Sequence, residues 1–395
     1  MLISAEADCE TSSKPLPYTA ARAGAIRHAV EVGAGMRVGI DARCLRVQRK
    51  SGVEQYAANV IRHLCALPEL SEVLLYVDGP TGIEWPPLVK ERVVRARFGW
   101  LRLALPLAMR KDRVSLAHFP ATIAPGMVPC PFLVTVYDLA FKRFPEAYSV
   151  KGLRMQEKAL RSASRAARVI AVSQSTKRDL VQFSIAPEDG IDVVPGAPRD
   201  IFRQDPAVPR KSRDVLLFVG VLSRRKNVLR LVEAYCEARA MGVDLPLLLA
   251  GEEGELGAKL RAEVAHLGLE NDVRILGFVE DHELAALYRR AVALVFPSLY
   301  EGFGLPVVEA MACGTPVITS DCSSLAEVGG DAAVLVNPLD VDAIAQAIVR
   351  VCGDEGLWHD LSEKGLETAG EYSWEQSARS TLEAYRSAAS YTAAS

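Results

Sequence analysis

The sequence predicts an α/β protein: two doubly wound, Rossmann-like domains facing each other across a cleft. Three observations carry this. The chain has 395 residues, too many for one core and enough for two of ordinary size. Short runs that are apolar along their whole length alternate with helical patterns, and the alternation occurs twice. Between the two passes lies PGAPRDIFRQDPAVP, with four prolines in fifteen residues (195–209), which reads as a linker. Strands apolar throughout suit a parallel sheet covered on both faces by helices.

In the first pass MRVGIDAR (36–43) reads as a strand, and GVEQYAANVIRHL (52–64) has the apolar spacing of a helix. EVLLYV (72–77), SLAHF (115–119), FLVTVY (132–137), RVIAVS (168–173) and IDVV (191–194) are further strands. Helices are expected over 149–166 and 174–183. In the second pass the strands are DVLLFVG (214–220), LPLLLAG (245–251), VRILG (273–277), LVFP (294–297), PVIT (316–319) and AVLV (333–336). Helices follow at 227–240 and 255–267. SWEQSARSTLEAYRSAA opens with Ser373 and Gln376 in capping-box spacing and is the last helix. The expected organisation is a disordered tail (1–35), a first domain (36–199), a second domain (200–372), and a C-terminal helix and tail (373–395).

No apolar run reaches the length needed to cross a bilayer. The first 35 residues lack a basic start followed by an apolar core, which argues against a signal peptide. Eight scattered cysteines without a C-x-x-C fit a reducing cytosol. The net charge of −3 hides an asymmetry. Residues 36–200 hold 25 Lys and Arg against 16 Asp and Glu, whereas 201–395 hold 18 against 29. Part of the excess is Arg92, Arg95, Arg97, Arg102, Arg110, Lys111 and Arg113. The basic half is either a solvated face or a footprint for an anionic partner. No nucleic-acid motif accompanies it, so nucleic acid is not the expected partner.

The chemistry is expected in the loops that follow strands, because such sheets bind ligands at the carboxyl ends of their strands. FPSLYEGFGLPVVEAMACG (296–314) is one such loop running into a helix. Gly302 and Gly304 allow close backbone approach to a ligand, Pro306 suits the first helical turn, and Gly314 suits its end. The helix start is a place for a phosphate. Glu301 either caps this helix or contacts a ligand. Glu309, about one turn inside among Val307, Val308, Ala310 and Met311, either faces water or accepts from sugar hydroxyls. A second loop, in FVGVLSRRKN, holds Arg224, Arg225 and Lys226, suited to a diphosphate. Gly52 precedes the first helix without a G-x-G-x-x-G. Tyr137 and Asp138 end one strand, and His118 ends another. The one D-x-D, Asp340-Val341-Asp342, reads as a helix start, and the histidines are dispersed, so no metal site is expected. No P-loop and no G-x-S-x-G occur.

These loops together resemble family 4 glycosyltransferases, retaining enzymes of the GT-B architecture. The resemblance runs from about Met36 to Tyr385. Its most specific part is Glu301-x₇-Glu309 in EGFGLPVVEAMACGTPVI; MRVGIDAR, VYDLAF, VSQSTKRDL, GVLSRRKN and GFVEDHELAALY also match. Within the family the likeness is to mannosyl- and rhamnosyl-type enzymes of surface-polysaccharide assembly. The resemblance implies that Glu301 contacts the donor sugar and Glu309 holds the ribose. Lys226 with Arg225 would neutralise the diphosphate, and the backbone of Phe303, Gly304 and Leu305 would face sugar and phosphate. Gly277 and Phe278 would lie by the base, and Gly52 would let the first domain approach the diphosphate. Tyr137 and Asp138, in place of the family's His-Asp pair, would lie near the sugar or acceptor with His118.

The sequence departs from the family at Gly220-Val221-Leu222, where an Arg is common, so which of Arg224 and Arg225 serves the phosphates is open. Implied partners are a nucleotide sugar (GDP-, dTDP- or UDP-linked) and a glycan or polyprenyl-linked acceptor. No cofactor or metal is implied, and the place of work is the cytoplasm or, peripherally, the inner membrane face. A nucleotide-sugar 2-epimerase of the same fold is the alternative.

Overall fold

The computed structural model describes residues 36–46 and 52–390. The expected N-terminal tail and Ser51 lie outside these. Thirteen strands form two sheets. The first contains β1 (Met36–Asp41), β2 (Leu70–Val77), β3 (Val89–Val93), β4 (Leu116–Phe119), β5 (Phe132–Val136), β6 (Arg168–Ala171) and β7 (Ile191–Val193). Their spatial order is β3-β2-β1-β4-β5-β6-β7. The second contains β8 (Val215–Val219), β9 (Leu247–Ala250), β10 (Val273–Gly277), β11 (Ala291–Phe296), β12 (Val317–Ser320) and β13 (Ala333–Val336). Its order is β10-β9-β8-β11-β12-β13. Every pairing is parallel. This is a two-domain GT-B arrangement, with a strand-order reversal at β1/β4 in one sheet and at β8/β11 in the other, the positions where such sheets bind ligands.

Burial explains the strands. All residues of β5 and β11 are buried, as continuous Val, Leu and Phe runs require. The strand β3, VKERV, escapes sequence reading because it is an edge strand with three exposed or half-exposed charged residues. Helix starts follow their caps. The hydroxyls of Ser173 and Ser373 accept from the amides of Thr176 and Gln376, and the Asp340 carboxylate accepts from that of Ala343.

Between β7 and β8 the proline-rich stretch carries only a 3-10 turn, Arg210–Ser212. The chain then crosses back. The last helix, Trp374–Ala389, packs not on the second sheet but on β4–β7 and on the helix Gly52–Leu64. One buried apolar cluster runs from that face of the first sheet into the second domain. A second cluster fills the other face of the first sheet.

Candidate active site

At the β8/β11 reversal two loops are stitched into one unit. Asn227 takes a left-handed conformation (φ 60°). Its side-chain amide donates to the carbonyls of Pro297 (3.0 Å) and Pro338 (2.6 Å). The Leu299 amide donates to the Arg225 carbonyl (2.9 Å), and Arg225 Nη1 donates to the Tyr300 carbonyl (2.7 Å). This frame points two cations at one carboxylate. Lys226 Nζ lies 2.7 Å and Arg225 Nη1 3.0 Å from Glu301 Oε1. Both cations thus converge on the same carboxylate oxygen. Burial pushes the Glu301 carboxyl up, but Arg225 and Lys226 outweigh it and hold it at about 2. Glu301 raises Arg225 further, whereas burial lowers Lys226 against the pull of Glu301. Arg224 is exposed, and its amide donates to Glu255 (2.9 Å). Of the three cations, Arg225 and Lys226 are therefore the pair that turns inward.

The helix Leu305–Ala312 starts at Gly304 (φ 104°) with no side-chain cap and Pro306 in its first turn. A Cβ at Gly304 would come within 2.8 Å of Leu325 Cδ2. Two serines hold the preceding loop. Ser323 Oγ accepts from the Glu301 amide (3.1 Å), and Ser324 Oγ lies 2.9 and 3.0 Å from the carbonyls of Glu301 and Phe303. Phe303 is buried edge-to-face against Tyr372. Glu309 is buried on the same helix. Tyr288 donates to its Oε2 (3.2 Å) and Arg199 Nη2 approaches Oε1 (3.5 Å). Burial nevertheless pushes its carboxyl up to about 7, against the Arg199 charge.

The first domain closes on this loop. A Cβ at Gly302 would fall 1.8 Å from the Tyr137 carbonyl oxygen and 3.1 Å from Asp138 Cβ, so only glycine fits. Thr176 Oγ1 lies 3.1 Å from the Tyr137 carbonyl and 3.3 Å from that of Gly302. Tyr300 donates its hydroxyl proton to Asp179 (2.6 Å) and accepts from the Leu139 amide (3.2 Å); Asp179 also pairs with Arg143. Glu327 accepts from the amides of Gln174 (2.9 Å) and Ser175 (3.0 Å) at the start of the helix Gln174–Gln182. Asp138 accepts from the Ala140 amide (2.9 Å). Burial raises its carboxyl, with Arg225 opposing.

The structure thus brings Glu301, Arg225, Lys226, Gly302, Tyr137 and Asp138 into one cluster, with Gly304 and Leu305 beside it. Gly52 faces this group, since a Cβ there would lie 3.6 Å from Leu305 Cδ1. The Tyr137 ring packs edge-to-face on Tyr56 (5.4 Å), and its hydroxyl lies 3.4 Å from the Val53 carbonyl. Gly277 (φ 72°) and Phe278, 40% exposed, sit apart at the carboxyl end of β10.

His118 does not join the cluster. It is buried, with Nδ1 2.8 Å from the Tyr385 hydroxyl and Nε2 2.8 Å from Thr135 Oγ1. Burial lowers its imidazole to about 3, which leaves a neutral ring fastening the last helix to the sheet. Three residues around the site carried no sequence signal: Arg199, Tyr288 and Tyr300. All three nevertheless stood in stretches already marked: the proline-rich linker, GFVEDHELAALY and the loop 296–314. Among the described residues no group of three or more His, Cys, Asp and Glu could hold a metal ion. No helix among them is long and apolar enough to cross a membrane.

Known proteins share this fold and its two-part sequence pattern. The family model described as Glycosyltransferase Family 4 matches residues 50–197, and that described as Glycosyl transferases group 1 matches 199–368. The O-antigen chain mannosyltransferase B of Escherichia coli is 29% identical over 370 residues, covering 85% of this chain and 96% of the relative. Sucrose-phosphate synthase from Thermosynechococcus elongatus superposes with a TM-score of 0.73 at 23% identity, covering 89% and 98% of the two chains. Anabaena HepE, solved in complex with UDP and glucose, superposes at 0.70 with 19% identity, covering 89% and 100%. None of these matches supports the 2-epimerase alternative. The paired models, which meet at the linker, place the chain in glycosyltransferase family 4: it is a glycosyltransferase of the GT-B fold.

Proposed function

We propose that the protein moves mannose from a nucleoside-diphosphate sugar to a glycan or lipid-linked acceptor, with retention at the anomeric carbon. The observation that carries this is the buried group of two cations on one carboxylate, Arg225 and Lys226 on Glu301, beside an uncapped helix start. One net positive charge remains where a departing diphosphate gathers negative charge. A diphosphate competes for the two cations and frees Glu301 Oε1 to accept from sugar hydroxyls. Glu309, on the helix that this start opens, takes the ribose. No carboxylate here is poised as a nucleophile: Glu301 is held by cations, and Asp138 is half-buried and bound to the Ala140 amide. That favours attack by the acceptor on the face the diphosphate leaves. The likeness to the E. coli mannosyltransferase supports mannose, and the HepE complex supports a nucleotide donor.

One observation favours a second sugar. Tyr137 presents an aromatic ring where the resembled family has an imidazole near the 6-hydroxyl, and a ring packs well against a methyl group. A 6-deoxyhexose such as rhamnose is the corresponding donor. Competition between GDP-mannose and GDP-rhamnose, with UDP-glucose as a further donor, decides between them. A strong preference for the 6-hydroxylated sugar removes the deoxy reading, and inverted product configuration by NMR overturns retention. We further propose that fixed cations do the work of a metal, so that EDTA leaves activity intact. Loss with rescue by magnesium or manganese would overturn this. The acceptor is met at the cytoplasmic membrane face.

A further inference from the structure

The first domain carries a second feature that transfer does not use. Gly99, left-handed at φ 69°, begins a π-helical turn, Trp100–Ala104, that continues as the helix Leu105–Lys111. The inner face is ordinary core: Leu105 and Met109 are fully buried in the cluster on that side of the sheet. Trp100 is fixed as well. Its Nε1 donates to the Val94 carbonyl (2.8 Å), and the Arg43 guanidinium lies 4.0 Å above its ring. The outer face is not ordinary. Phe98 is 83% exposed, and Leu103 and Leu107, one turn apart, are 66% and 65% exposed. Arg95, Arg97, Arg102, Arg110 and Lys111 stand exposed around them. Residues 94–111 contain five cations and no carboxylate. None of the five forms an ion pair among the described residues, whereas the neighbouring Arg92 pairs with Asp112 (3.0 Å).

Large apolar side chains projecting into water gain nothing for a fold whose inner face is already filled. Ringed by charge of one sign, they match one environment, an acyl boundary beneath anionic headgroups, where Phe and Leu enter and Arg and Lys snorkel to phosphate. We propose that Phe98–Lys111 is an interfacial anchor that seats the first domain on an anionic lipid surface. Side chains this exposed project from the surface, which suits insertion into a bilayer better than a folded partner. Its location gives it a use. Arg43, stacked on Trp100, also pairs with Asp41 (2.7 Å) at the carboxyl end of β1, so the anchor lies at the cleft-side rim of the first sheet. A lipid-borne acceptor held there would stand beside the transfer site. That use rests on the proposed lipid-linked acceptor, but the binding itself does not.

The test is flotation of the full chain with phosphatidylcholine vesicles and with vesicles containing about one-third phosphatidylglycerol. Binding is expected only to the anionic vesicles and should fade in 1 M salt, where the Debye length is about 3 Å. Reversing Arg102, Arg110 and Lys111 to Glu should lower partitioning by about tenfold or more, as should Phe98→Ser with Leu103→Ser and Leu107→Ser. These side chains are exposed, so the variants should keep wild-type melting and wild-type release of nucleoside diphosphate with a soluble acceptor. Equal binding to both vesicle types, binding to neither, or variants that float like wild type would overturn the anchor. So would a dimer that the serine variants dissociate, or an RNA affinity that the glutamate variants abolish. Because flotation needs no transfer, failure of the donor or acceptor assignment leaves this result readable by itself.

Discussion

Glu309 shows how a single carboxyl can report on its own role. Burial lifts it from 4.5 to about 7, so the folded protein holds a proton that the unfolded chain has already released. Its contribution to stability is full below about 4.5 and is lost as pH rises through about 7. Glu309→Gln should therefore remove a decline in melting temperature across that interval, and parallel pH profiles would refute the assignment. Ribose hydroxyls prefer the ionised carboxylate, so nucleoside-diphosphate affinity should rise over the same interval in the wild type and be weaker and flatter in the variant. Calorimetric titration reads this directly, with a loss of about 1–3 kcal/mol expected for the missing charged acceptor. Glu301→Gln should behave differently. It leaves Arg225 and Lys226 buried without their carboxylate, which should cost about 3 kcal/mol of stability. Free nucleotide should still bind, because the cations remain, while transfer falls by about a hundredfold. Unchanged turnover would show that Glu301 only neutralises the two cations. Both glutamates were readable in the sequence because they flank a glycine loop after a strand. Their partners were only half readable. Arg225 and Lys226 lie in a second such loop, but Arg199 and Tyr288, 110 and 21 residues from Glu309, have no local pattern that points to it.

At the scale of elements, the loop from Tyr300 to Gly304 is where the two domains meet. Its conformation is imposed from three sides: Ser323 and Ser324 behind it, Arg225 on its carbonyl, and Tyr137 with Asp179 in front. Gly302 is the tightest point. A methyl group there would sit 1.8 Å from the Tyr137 carbonyl oxygen, far inside contact distance, so Gly302→Ala cannot keep the domains as close as they are. Transfer should fall by at least about a hundredfold, as misplacement by an ångström can cause, while the melting temperature of the second domain stays put. Small-angle scattering should show a more open particle. Wild-type scattering together with wild-type turnover would show that this approach is not needed for catalysis. Gly302 was legible in the sequence as a glycine that lets backbone approach closely, but what approaches it is the carbonyl just past β5, 165 positions earlier in the chain, and no periodicity carries that information. Helices with strong caps, such as those starting after Ser173 and Ser373, were legible almost to the residue. The edge strand β3 and the helix Leu105–Lys111 were not, because charged or outward apolar residues blur the pattern that burial would otherwise impose.

The whole molecule is tied together by a segment that sequence order would assign elsewhere. Two parallel sheets and a linker follow from alternation and prolines, but local pattern cannot say which domain a terminal helix will cover. Here Trp374–Ala389 returns across the cleft and buries Trp374, Ala378, Leu382, Tyr385 and Ala388 against the first sheet and the helix Gly52–Leu64. The Tyr385 hydroxyl meets His118, whose other nitrogen is held by Thr135, so a group expected near the sugar or acceptor instead locks the strap to the sheet. Ser377 adds a bond to the Pro195 carbonyl in the linker (2.7 Å). The strap therefore belongs energetically to the first domain and mechanically to both. Tyr385→Phe keeps the ring but leaves His118 Nδ1 buried without its partner, which should cost about 1–3 kcal/mol. Removing residues 374–395 should do more, since it uncovers the apolar face of β4–β7 on which the helix packs. Hydrogen exchange by mass spectrometry should then rise across the first sheet and the helix Gly52–Leu64, while β8–β13 keep their protection and the second domain still binds nucleoside diphosphate through Glu309. Exchange that rises equally in both sheets would show one cooperative unit instead of a first domain clasped by its own distant end.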